Sequence, residues 1–320
     1  MQIVGETFNY VPVNRLSRET PDKLSCDNLL KTTVATTSEP FCANVDLNVA
    51  VHSSMTNEPI QNVSASVIIT KNGAQQTVAE AAKPDDNGIL RIPITQNGHY
   101  VVKVEGNGYI TAKESVDVTC DIARCRDCAP ALLVPLSPVL APGELRLTMS
   151  WGERPLDLDV YAQQKNINTE EACTTYYGKK TDCDGITLDL DNVNGGNNGV
   201  ETMTFHDVEN HQDSVYMLFV HHYGSTRDTE EFRSSGVHLT LTDGHVTSSV
   251  AMDADRFNGE EHWVAGCIRM VGSAYEFVPV NVFLNSKPDE EVPNLCLEKF
   301  GHEVSTEASY AWYNPQRYYG

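Results

Sequence analysis

Two short segments hold the residues whose types and spacing best suit chemistry. In Leu156-Asp157-Leu158-Asp159-Val160 and in Leu188-Asp189-Leu190-Asp191, leucine and aspartate alternate with period two. On a strand that period sends the leucines to one face and each carboxylate pair to the other, so Asp157, Asp159, Asp189 and Asp191 can gather where the two strands meet. Carboxylates at such density suit a hard cation, because Ca²⁺ takes roughly six to eight oxygen ligands. Asn192, Asn194 and Glu201 complete the candidate shell from a glycine-rich loop that bends freely. The competing reading is a solvated acidic face on a chain that is acidic throughout.

Catalytic constellations are missing from the sequence. It contains no G-x-S-x-G, no phosphate-binding G-x-x-x-x-G-K-[ST], no H-E-x-x-H and no G-x-G-x-x-G. His206-x-x-Glu209 has the spacing of a carboxypeptidase zinc pair, yet it falls at the end of a strand pattern rather than on a helix. Ten histidines make about one such match by chance. His221 and His222 project to opposite faces of a strand and cannot both reach one metal; they read as surface and rim residues. The expectation is a chain without catalysis.

The elements that must carry these residues are strands. From Asn44 onward, runs of Val, Ile and Thr are punctuated by Asn57-Glu58-Pro59, Lys71-Asn72-Gly73, Asp86-Asn87-Gly88, Gln96-Asn97-Gly98 and Asn107-Gly108, a spacing of roughly 8 to 12 residues that marks a sandwich. Residues 42–122 form the first sandwich on this reading. Residues 123–144, with Cys125, Cys128, Pro130, Pro135, Pro138 and Pro142, read as a cysteine- and proline-rich linker. About nine further strand patterns over 145–286, including the hairpin turn Thr242-Asp243-Gly244-His245, give a second sandwich with the acidic loop. Residues 1–41 read as an extended N-terminal arm and 287–320 as a C-terminal tail. The fold class expected is all-β: two tandem β-sandwiches, immunoglobulin-like or transthyretin-like, with extended arms.

Charge and cysteine usage narrow the function. The chain of 320 residues sets 44 acids against 23 bases, a net charge of -21, which repels phosphate backbones and argues against nucleic acid. No run of 18 apolar residues occurs, so no membrane span is expected. Nine cysteines in largely polar surroundings read as disulfide partners and place the protein outside the cell. Cys173 and Cys183 can close a short hairpin bridge, or pair separately elsewhere. Cys120, Cys125 and Cys128 lack a fourth ligand for zinc and favour disulfides. An odd count leaves one thiol over; Cys267, in an apolar run, is a candidate for a buried free thiol. Asn62-Val63-Ser64 is a glycosylation sequon.

Two resemblances follow from the motifs. Asn57-Glu58-Pro59-Ile60, Val63, Val67, Asp86-Asn87-Gly88, Gly98-x-Tyr100 and Gly108-Tyr109 resemble the carboxypeptidase regulatory-like domain, a transthyretin-like sandwich that carries no catalysis. Trp151-Gly152-Glu153-Arg154-Pro155-Leu156-Asp157-Leu158-Asp159, followed by Leu188 to Asn192, resembles an extracellular β-sandwich domain of unknown function often found with von Willebrand A-type or adhesion modules. The downstream Gly195-Gly196-Asn197-Asn198-Gly199-Val200-Glu201 departs from the Gly-Pro-Glu turn of that domain.

The leading expectation is an extracellular structural or adhesive subunit that self-assembles head to tail, as a filament. Ile3, Val4, Phe8, Tyr10 and Val11 would add a strand from the arm to a neighbouring copy. The alternative is a calcium-dependent module binding a glycan or a matrix protein. Aromatic rings displayed around Asp189 to Glu201 would favour a glycan, whereas a hydrolase would need a buried histidine with a carboxylate partner.

Overall fold

The computed structural model describes residues 2–4, 7–9, 45–71, 74–120, 128, 131–169, 171–195, 199–224, 229–288 and 293–301. Residues 1–40 and 41–320 form two separate units. In the first, β1 (Gln2–Val4) and β2 (Thr7–Asn9) pair antiparallel, with Ile3 across from Phe8. The expected extended arm is therefore a hairpin here, and part of the backbone an arm would offer a neighbour is used within it. Tyr10 and Val11 lie outside the described residues.

The larger unit begins with β3 (Val45–Ser53), β4 (Val63–Lys71), β5 (Ala74–Ala82), β6 (Ile89–Ile94), β7 (Gly98–Gly106), β8 (Ala112–Val118) and β9 (Ala131–Leu136). They form two sheets, ordered β6-β3-β9 and β5-β4-β7-β8. Alternation does what the sequence demands: Val45, Leu47, Val49 and Val51 bury against Val63, Val67, Tyr100, Val102 and Val104. The expectation of a linker over 123–144 is corrected by β9, which pairs parallel to β3 from Asn48↔Ala131 to Ser53↔Leu136. Val134 and Leu136 are fully buried. Proline concealed this strand, but β9 lies at a sheet edge, where the missing N–H of Pro135 costs no ladder bond. Cys128, just ahead of it, is bridged to Cys120.

Ten strands follow: β10 (Leu145–Trp151), β11 (Leu158–Asn166), β12 (Ala172–Thr175), β13 (Ile186–Leu190), β14 (Gly199–Phe205), β15 (Ser214–His222), β16 (His238–Thr242), β17 (Thr247–Ala251), β18 (His262–Val271) and β19 (Ala274–Leu284). One sheet runs β13-β14-β10-β16-β17 and the other β12-β11-β15-β18-β19. Leu147, Met149, Trp151, Leu158, Val160, Met203, Phe205, Leu218 and Trp263 share the core between them. Among the described residues two short α-helices accompany the strands, α1 (Thr229–Arg233) and α2 (Pro293–Lys299). The outer face of the second sheet is also covered: Tyr161, Val215, Met217, Phe219 and Val264 pack with Cys296, Leu295, Leu297 and Phe300.

That covering overturns two expectations. Cys267, read as a candidate free thiol, is bridged to Cys296 on α2, because its apolar strand is buried on both faces and the sulfur points at the helix. Residues 293–300 of the supposed tail accordingly belong to the second sandwich.

Candidate metal centre

The tryptophan of the W-G-x-x-P-x-D-L-D motif builds the first half of the site. Trp151 is buried at the end of β10, and its indole N–H donates to the Pro155 carbonyl at 2.8 Å. This folds the intervening loop back and delivers Asp157 and Asp159 to the start of β11. Leu158 and Val160 enter the core while Asp159 stays on the other face, across from His221.

The second half arrives through an irregularity. Leu188 pairs with Met203 and Leu190 with Thr202, so Asp189 is an extra residue on β13. A bulge sets two residues against one and breaks the period of two. Asp189, expected in the metal shell, is thereby turned away. Its carboxylate accepts the Thr204 hydroxyl and faces Arg146. Asp191 goes into the cluster instead. Two glycines permit the close approach of the segments. A Cβ at Gly195 would stand 2.5 Å from the Leu156 carbonyl oxygen, and one at Gly199 would stand 2.0 Å from the Trp151 ring.

Carboxylate oxygens of Asp159, Asp191 and Glu201 come within 4.8 Å of one another. Glu201 is fully buried; it accepts the Val160 N–H at 2.7 Å and the Asn192 N–H at 3.4 Å. The first of these bonds stands in for a strand partner, since β12 pairs with β11 only from Ala162 onward. Asn192 Oδ1 accepts the N–H of the exposed Asn194. Asp157 Oδ1, Asp159 Oδ2 and Asp191 Oδ1 are buried with no hydrogen-bond partner. Lys180 lies 2.9 Å from Asp191 Oδ2, and His221 Nδ1 lies 3.5 Å from Asp159 Oδ2.

The electrostatics follow from that crowding. Burial, then the charges of Asp159 and Asp191, push Asp157 up to about 6, and His221 opposes them. Asp159 is raised by burial against the pull of His221. Glu201 is held well above the usual carboxylate range, chiefly by burial. Carboxylates kept out of water must take up protons or a counter-charge.

Sequence reading missed His221, Lys180 and the rings around them. His221 stacks on His262 at 4.6 Å between ring centres. His222, read as a surface or rim residue, is buried and packs 5.4 Å from Phe232. Cys173 and Cys183 are bridged with Cα atoms 5.3 Å apart, and the loop they close carries Tyr176 and Tyr177. Lys287 lies 4.7 Å from the centre of the Tyr176 ring and 5.1 Å from that of Tyr161. Elsewhere, His206 Nδ1 lies 3.2 Å from Glu144, and Asn62 is exposed just ahead of β4.

No family model matches the chain, and no curated protein matches it in sequence. Among solved structures, a protein of unknown function, SAV2460, is 18% identical, with 45% of this chain and 91% of that one covered at a TM-score of 0.38. BcpA, the major pilin subunit of Bacillus cereus, is 10% identical, with 64% and 66% covered at 0.27. The Corynebacterium diphtheriae major pilin SpaA is 10% identical, with 73% and 88% covered at 0.24. Likeness at this level carries nothing about what the chain does.

Proposed function

We propose that this chain is a non-catalytic, disulfide-braced module of the cell exterior whose second sandwich binds Ca²⁺ through Asp157, Asp159, Asp191 and Glu201. The observation that carries the reading is the convergence of the Asp159, Asp191 and Glu201 carboxylates, of which Asp159 Oδ2 and Asp191 Oδ1 are buried without a hydrogen-bond partner; Asp157, whose Oδ1 is likewise buried and unpartnered, is coupled to Asp159 and Asp191 by charge. The donors are all oxygen, which suits calcium rather than a metal preferring sulfur or imidazole. Glu201 comes from one sheet and Asp159 from the other, so an ion between them ties the two sheets together. Three disulfides among the described residues support an oxidising surrounding. Binding confined to the native state raises stability, by about 2.7 kcal/mol when calcium stands at a hundred times its dissociation constant. Melting the protein in millimolar calcium and then in excess chelator tests this. A higher midpoint with calcium is expected, and identical midpoints would remove the site.

A second reading, self-assembly, is favoured by the edge strand β5. It is nine residues long, exposed from Ala74 to Val78, free of proline, and charged only at Glu80. Such an edge is a template for another strand. Deleting residues 1–25 tests whether the N-terminal segment supplies it: both sandwiches should stay folded while larger species vanish from light scattering. Unchanged assembly would exclude that donor.

A further inference from the structure

Beside the carboxylates stands a group of aromatic side chains that the cation does not need. Tyr177, held in the loop that Cys173 and Cys183 close, and Tyr223, just past β15, are 37% and 47% exposed. Their rings meet edge to face at 5.6 Å. Tyr223 lies 6.0 Å from His221, and His221 in turn lies beside Asp159. The charges of Asp159 and Asp157 are felt at the Tyr177 hydroxyl, which burial and these carboxylates together raise above its ordinary value. Exposed tyrosines and a cluster of acids thus share one patch of surface. Asp157 and Asp191 are partly exposed, whereas Asp159 is 3% exposed and its Oδ2 has no hydrogen-bond partner nearer than His221 Nδ1 at 3.5 Å.

We infer that this patch binds a neutral glycan, two adjacent sugar hydroxyls completing the calcium shell while a sugar ring lies against Tyr177 or Tyr223. The inference rests on the calcium reading above. Ca²⁺ takes roughly six to eight oxygens, and the carboxylates on hand leave positions that water or a diol can fill. The C–H face of a sugar carries slight positive charge and suits the negative face of a tyrosine ring, whose hydroxyl can stay wet. Charge selects among glycans: a chain of net charge -21 repels sulfated and uronic polymers and leaves neutral ones. Ordering also favours the rings. The disulfide and the contacts of Tyr177 with Tyr176 at 5.2 Å and with Tyr161 at 6.4 Å hold it before any ligand arrives, which lowers the entropic cost of binding.

The test uses the full chain and two measurements. Calcium binding is titrated calorimetrically for the unaltered protein, for Glu201→Gln and for the double variant Tyr177→Ala with Tyr223→Ala. Retention is then measured on immobilised mannan, galactan and dextran, with heparin as the anionic control, in millimolar calcium and in chelator. The expected result is retention on at least one neutral polysaccharide, released by chelator, with none on heparin. The tyrosine pair should bind calcium within twofold of the unaltered protein and lose at least tenfold in retention. Glu201→Gln should lose both. Calcium binding with no retention on any neutral polysaccharide would overturn the glycan inference and leave the calcium reading standing, as would retention that the tyrosine pair or the chelator does not change. Absence of calcium binding in the unaltered protein would overturn both.

Discussion

The two sandwiches are built from the same kind of strand and differ in what covers them. In the first, β3 and β7 bury one face and leave the other half-exposed, so their residues alternate inward and outward. In the second, β15 and β18 are buried almost throughout, because one sheet is packed on both sides. A two-sided sheet can hold carboxylates where water is scarce, which is where a cation is worth most. Charged pairs of the first sandwich such as Arg91 with Asp85 and Lys103 with Glu105 lie at the surface, though its Glu114 is largely buried against His238 of the second. The lesson is that the second sandwich gains a layer the first lacks, and that its buried carboxylates lie in the same, more deeply buried half of the chain.

Removing that layer gives the largest effect. The bridge from Cys267 to Cys296 closes 29 residues, and the one from Cys120 to Cys128 closes 8. Loop-closure entropy alone assigns roughly 3.5 kcal/mol to the first and roughly 2.5 kcal/mol to the second. Freeing α2 also exposes Val215, Met217 and Phe219, so Cys267→Ser with Cys296→Ser should cost more than the entropic figure. Trp151 and Trp263 both lie in the second core and report its unfolding by fluorescence. Urea melts should show their transition shifted strongly by this double variant and little by Cys120→Ser with Cys128→Ser. Equal shifts would mean that the two sandwiches unfold as one.

How much of this was legible in the sequence depended on whether a single period was enough. The alternation of Val45 to Val51 and of Tyr100 to Val104 placed their faces correctly, because nothing interrupts those ladders. The same period put Asp159 on the face away from Leu158 and Val160, where it meets Asp191 and Glu201. Asp189 was not placed correctly, because a bulge adds a residue that a period of two cannot contain. His221 needed the strand register, which sets it across from Asp159 although 62 positions separate them in sequence. The helix carrying Cys296 is only seven residues long, too short to leave a helical stripe.

The next effect sharpens the contrast from the charge side. Asp157 titrates near 6 in the folded chain, above its ordinary 3.8, and Asp159 and Glu201 are raised as well. A raised acid stabilises the fold while it keeps its proton, fully below the unfolded value, and that contribution is lost as pH climbs through the folded value. Without calcium, the second sandwich should therefore melt at lower temperature at pH 7 than at pH 5. Calcium should flatten or reverse this slope by supplying the missing counter-charge. Gly195→Ala, which forces the two acidic segments apart, should weaken calcium binding about tenfold and reduce the slope. If that variant keeps the unaltered affinity and slope, the contact between Gly195 and Leu156 is not what assembles the cluster.

The smallest effect on stability tests the edges. The second sandwich guards its rims with short or broken strands: β12 has four residues, β17 has five, β13 is bulged, and β19 contains Pro279. In the first, β8 carries Lys113, Glu114 and Asp117, and β6 carries Arg91 and Pro93. β5 lacks such devices over its first half, where Ala74 to Thr77 pair in regular register with β4; the bulges come only beyond Thr77. Gln75 and Thr77 are exposed on that strand. Replacing both with lysine removes no buried contact, so folding stability should move by no more than about 0.5 kcal/mol. An added strand would bring its own backbone against two new charges that must stay hydrated, and like charges would repel between copies. Analytical ultracentrifugation at high concentration should then show the lysine variant smaller than the unaltered chain, with both melting alike. A strictly monomeric unaltered chain, or a variant that assembles as well, would show that β5 is an edge the protein tolerates rather than uses.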